Sequence, residues 1–386
     1  MANRSALEAA AVAGIINAEQ VGPLHDFLAS RAGAPQLVTS GEEDLRFIRS
    51  FHDVFLAIGI LLFAVGLAIG IGVFVSGAES AQQVALLTGA CTAGAAGVMW
   101  VLGELFARRR RLFLPAIAIV LALTGFAVVS AAAIYFGALL GEGFDRTVGW
   151  EQMPPEVGMG ILVAAAFAII APAAFYARFR LPFSLGLTGA GAALFAIVLC
   201  LVVNAEATLG FLPALYIGLG GLLFLAGVAF DARDPARATR FSDNGFWLHF
   251  AAAPLILNGV FGLVGQAFAG KTGGLGGLIS AAGGESAGAH AAVTLLAVFV
   301  LGIVSLLINR RALIVSALLT AGVAIGILLN QLGLGAGALA ASTLIVLGAF
   351  VLILGAGWHS VRRALLGWVK PGGAWARVFP PETANL

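Results

Sequence analysis

Residues 240–266 read RFSDNGFWLHFAAAPLILNGVFGLVGQ. From Phe246 this stretch is almost wholly apolar for about 20 residues, the length that crosses about 30 Å of hydrocarbon as a helix. It also holds a proline, Pro254, and one turn later an amide, Asn258. Proline supplies no N–H, so the carbonyl of Phe250 loses its helical partner. Trp247, Pro254 and Asn258 fall on one helical face, with Gln266 displaced toward the outer end. His249 lies half a turn around the helix from Asn258 and points the opposite way. A kinked helix with a freed carbonyl, an amide and small neighbours is what lines a polar cavity near the midplane of a transporter. The same residues also suit a plain structural role, in which Asn258 bonds to a Ser or Thr of a neighbouring helix and Pro254 bends the rod.

The rest of the chain has the same character. Of its 386 residues 60% are hydrophobic and 10% charged, with a mean hydropathy of +1.02. Soluble domains carry about 25% charge, so lipid must cover much of this surface. Apolar runs recur near 54–76, 83–106, 112–138, 157–176, 183–203, 207–230, 246–268, 290–308, 312–330 and 337–357. The expectation is an all-α, polytopic helical membrane protein of about ten transmembrane helices.

The connections give the orientation. RRRR (108–111), ARFR (177–180), DARDPARATR (231–240) and NRR (309–311) follow the even spans, and the odd spans are followed by acidic or Gly-rich loops. On this scheme all of the 21 Lys and Arg except Arg146 and Lys271 fall on the side shared by the termini. Basic residues mark the cytoplasmic side, so both termini are expected in the cytoplasm. The expected location is a bacterial inner membrane, with membrane lipid as one partner and no nucleic acid. Small residues four apart, Gly66 and Gly70, Gly89, Ala93 and Gly97, and Gly322 and Gly326, form seams where backbones approach closely. They fit packing within the chain, a homo-oligomer or a partner membrane protein.

Residues 1–52 read as a cytoplasmic helical hairpin followed by an interfacial helix, 53–357 as the bundle, and 358–386 as a basic amphipathic tail. Ser5 with Glu8 and Asn17 with Gln20 have the capping-box pattern. Gly14 and Gly33 are placed to end the two short helices. The phrases GIINAEQVGPLHDFL (14–28) and EEDLRFIRSFHDVFLAIGILLF (42–63) resemble the amino-terminal pattern of bacterial DUF2157-type membrane proteins, and FWLHFAAAPLI (246–256) and WHSVRRALLGWV (358–369) are similar to their alphaproteobacterial members. That resemblance implies a bacterial inner-membrane protein and carries over no active site.

Chemistry is sparse. The 19 acidic residues fall in loops, tails or near span ends. Glu104, four residues before Arg108, reads as one half of an i,i+4 pair. GKT (270–272) in the Gly-rich loop 269–289 lacks the glycine spacing of a phosphate loop. Both cysteines lie in apolar spans, the five histidines have no metal-ligand spacing, and no cofactor or catalytic motif appears. The polar cluster of the 231–249 connection, Asp231, Asp234, Asp243 and His249, could hold a metal–diphosphate headgroup at the interface. The simpler expectation is a solvated loop in which Ser242 or Asp243 caps the next helix. Three functions remain open: a transporter or channel-like protein for a small solute, ion or lipid with its site around Asn258; a non-catalytic scaffold or regulatory subunit acting through the amino-terminal module; and an interfacial membrane enzyme.

Overall fold

The structure is a computed structural model. It describes residues 7–8, 11–26, 51–139, 154–234, 240–269 and 287–308, with scattered single positions between 322 and 364. Every regular element among the described residues is a helix. The chain divides into a small unit that includes Met1–Glu42 and a large one, Glu43–Glu382.

In the small unit, a 3₁₀ turn at Ala18–Gln20 follows Asn17, whose backbone N–H donates to the Gln20 side-chain carbonyl at 2.9 Å, as the capping-box pattern requires. Gly14 adopts φ +73° and its N–H closes on the carbonyl of Ala11 at 3.0 Å, the left-handed stop that glycine supplies at least cost. Ser5 and Gly33 lie outside the described residues, as does the expected interfacial helix before Phe51.

The large unit is built of α1 (Phe51–Val75), α2 (Ala81–Gly103), α3 (Phe113–Leu139), α4 (Pro155–Phe179), α5 (Pro182–Val203), α6 (Ala205–Arg233), α7 (Arg240–Ala269) and α8 (Ala287–Ile308). Seven of them, α1 to α7, are long and apolar enough to cross a membrane among the described residues. α8 coincides with the expected eighth span. The ninth and tenth fall almost wholly outside the described residues, as do the 269–289 loop beyond Ala269 and nearly all of the 358–386 tail.

Tight connections separate the helices because the sequence provides caps there. Ser80 accepts from the backbone of Gln83 at 3.2 Å to open α2. Asn204 closes α5 and accepts from Ala207 at 2.9 Å to open α6. α2 runs on into a π-helical turn, Glu104–Arg109, before the chain reverses at Arg111.

Neighbouring helices pair as hairpins, most extensively α6 with α7, then α2 with α3 and α4 with α5. The core of the first half forms around Ile60 of α1, Met99 of α2, Ile119 and Phe126 of α3 and Phe175 of α4. Glycines decide how closely the pairs approach. A Cβ on Gly89 would meet Ile134 of α3, and one on Gly191 would meet the backbone at Ala168 of α4. The Gly89 carbonyl accepts from Ser130 of α3 at 2.8 Å. Of the other expected seams, Gly66, Gly70 and Gly97 have nothing within 4 Å of a Cβ position. Gly66 and Gly70 line an open apolar groove with Leu62, Phe63, Phe74 and Cys91. Of these seams, only Gly89 packs a neighbouring helix of this chain among the described residues.

Candidate functional site

The stretch at 240–266 forms α7, the most enclosed of the seven long apolar helices: 44% of its most apolar window is buried, against 17% to 33% in the others. α7 begins at Arg240, well before the expected span start at Phe246. Ser242 and Asp243 therefore lie inside its first turns and do not cap it. α6 likewise continues to Arg233, so Asp231 is helical, and Asp234 closes the helix with its N–H on the Asp231 carbonyl at 3.1 Å. The polar group is not solvated: Asp231, Asp234, Ser242 and Asn244 are all buried, and His249 is 0% exposed.

Two glycines make this possible. Gly245 of α7 leaves the space into which the Asp231 carboxylate reaches, and Gly227 of α6 lies against the His249 ring; a Cβ on either would collide. His249 Nε2 lies 3.1 Å from Asp231 Oδ2, and its ring packs on Phe224 with centroids 4.9 Å apart. With Asp231 ionised, Nε2 carries the hydrogen and donates it. Among the described residues Nδ1 has no hydrogen-bond partner, and an unpaired buried acceptor costs about 1–3 kcal/mol.

A turn and a half back along α7, Asn244 faces α4 and donates from Nδ2 to the Tyr176 hydroxyl at 2.8 Å, while its Oδ1 has no partner among the described residues. Neither Asn244 nor Tyr176 stands out in the sequence. Asn244 falls within the 231–249 connection, and only the early start of α7 could have flagged it.

The remaining expected residues scatter around α7. Trp247 turns toward α5, its ring edge-on to Phe183 at 4.7 Å and its backbone against Gly186. Pro254 lies within an unbroken helix and is exposed. Asn258, half-buried, donates from Nδ2 to the carbonyl of Pro254 at 2.8 Å, a bond within its own helix. Gln266 donates to the Gly210 carbonyl of α6 at 2.9 Å and so staples the outer end of the α6–α7 pair. The structure thus joins Asp231 to His249 and Pro254 to Asn258, on opposite sides of α7.

Among the described residues no three His, Cys, Asp or Glu side chains converge as a metal site. The enzyme reading required Asp231 and His249 at an open interface, and both are enclosed. Glu104 does pair with Arg108 at 3.2 Å, and also with Arg178 of α4 at 2.7 Å, a partner the sequence did not suggest.

No protein-family model, no curated protein and no solved structure matches this chain.

Proposed function

We propose that the protein is a transporter or channel-like protein for a small solute or ion, with α7 as its working element. One observation carries this reading: a fully buried imidazole paired with a buried carboxylate where two membrane helices pack. Replacing such a pair by apolar side chains is often neutral or stabilising, so packing alone does not account for it, and ionisable groups in membrane helices are by default functional.

The arrangement suggests how the element works. The Asp231–His249 pair lies on one side of α7, Asn258 lies on the other about 13 Å further along at 1.5 Å per residue, and Pro254 sits between them. Loosening the α6–α7 seam at this pair would free the half of α7 beyond Pro254, which carries Asn258, to move. The other charged or titratable side chains near the pair are Asp234 and Asp243, Arg233 stacked on Phe230 at 5.7 Å, and Tyr176 with Arg180 at 5.7 Å on the α4 side. α5 carries no charged residue and α8 only His290, at its far end.

The same proposal takes the whole chain as ten spans with both termini in the cytoplasm of a bacterial inner membrane, related to the DUF2157-type proteins. It is supported by the distribution of Arg and Lys and by the phrases at 14–28 and 42–63.

The reading requires water to reach Asn258. In sealed vesicles, with Cys91 and Cys200 replaced by Ala, Asn258→Cys should react with a membrane-impermeant thiol reagent. An introduced thiol that stays unmodified there, while the control Glu206→Cys at an exposed position reacts completely, would remove it.

A further inference from the structure

At the foot of α2 and α4 lies a second arrangement, independent of the α7 site. Arg108 and Arg109 at the end of the π-helical turn, Arg110 and Arg111 just after it, Arg178 in the last turn of α4 and Arg180 at its C-terminal cap are all exposed. Glu104 joins this end of α2 to α4 through Arg178 and pairs along its own helix with Arg108, while Gly103 of α2 seats the rings of Phe175 and Phe179 of α4. The guanidinium groups far outnumber the one carboxylate among them, so the patch is strongly positive. Arg111 and Arg180 hold φ +53° and +55°, the left-handed region, one at the foot of each helix. Glycine would occupy these positions more easily, and strain kept at a non-glycine residue marks positions whose side chain has a use.

The patch continues upward as apolar surface. Val98, Val101 and Leu105 form an exposed stripe on α2 that ends at Arg108, and Phe167 and Ile170 form one on α4 that ends at Arg178. Cations at the foot of two lipid-facing stripes have the shape of a phospholipid: headgroup below, acyl chains above. Arginine binds phosphate oxygens bidentately, which lysine cannot.

We propose that this patch is a binding site for an anionic phospholipid bearing two phosphate groups, its headgroup held by Arg111 and Arg180 together with the Glu104-linked pair Arg108 and Arg178. General attraction of a basic inner face to anionic lipid is a weaker alternative that the test separates.

The test is native mass spectrometry of the full chain titrated with cardiolipin or phosphatidylglycerol at matched charge. Wild type should bind one cardiolipin in preference to phosphatidylglycerol. Arg111→Gly/Arg180→Gly should bind it about tenfold or more weakly while unfolding at the same or a higher temperature without lipid. Arg108→Lys/Arg178→Lys, which keeps the charge, should also lose the preference. Equal binding of the two lipids by wild type, unchanged cardiolipin binding by the glycine double variant, or full preference in the lysine variant would each overturn the proposal.

Discussion

At the residue scale the account rests on His249. Its ring has no exposed surface, one nitrogen faces Asp231 and the other has no hydrogen-bond partner among the described residues. His249 donates a hydrogen bond to the buried Asp231 carboxylate, and a bond to a charged group contributes about 1.5–3 kcal/mol. His249→Leu is therefore expected to destabilise the detergent-solubilised protein by that amount, and adding Asp231→Leu should recover most of the loss. Thermal unfolding followed by Trp fluorescence checks this, and a double variant no more stable than the single would show that the pair is not the source. Asn258→Leu removes a bond to its own helix and should cost less than about 1 kcal/mol. The sequence named both residues of the pair but placed Asp231 in a solvated connection and set His249 on the helix face opposite Asn258. Its charge pattern carries no mark of burial, because burial here depends on Gly227 and Gly245, two of 52 glycines, and on α6 and α7 reaching into the two ends of the polar run DARDPARATR.

At the element scale the α6–α7 pair is held by closely fitted surfaces. Gly259 and Gly262 of α7 lie against Ile217 and Pro213 of α6, and Gly220 lies against Ile256. Overpacking such a seam costs about 1–3 kcal/mol. Gly259→Ala or Gly227→Ala should lower stability by that much, whereas Gly66→Ala and Gly70→Ala, with open space at the Cβ position, should be neutral or stabilise by up to about 1 kcal/mol through helix propensity. Matched thermal melts of the four variants decide it; equal losses in all of them would contradict the packing described. Spans α1 to α7 were legible because long apolar runs need only length and hydropathy to be recognised. Which small-residue stripe packs was not legible, since Gly66 and Gly89 sit in similar sequence and differ only in what lies opposite.

At the scale of the whole molecule, seven apolar helices among the described residues, with arginines in alternate connections, make a multi-pass membrane protein. The proposed orientation predicts that, in intact cells, Glu151→Cys is labelled by an impermeant reagent and Glu382→Cys is labelled only after lysis. The reverse pattern would invert the topology, and labelling of both from outside would refute an even number of spans. Function also belongs to this scale, because the pair at His249 and the amide at Asn258 sit on opposite sides of one helix and can be linked only through its movement. The most direct measurement is the rate at which Asn258→Cys reacts with an impermeant thiol reagent in sealed vesicles. The rate is normalised to that of Glu206→Cys and measured with and without His249→Gln. The account predicts that the thiol reacts at a measurable fraction of the Glu206→Cys rate and that His249→Gln, by loosening the α6–α7 seam, raises that fraction. A thiol that stays unmodified in both backgrounds, or a normalised rate that His249→Gln leaves unchanged, would contradict it.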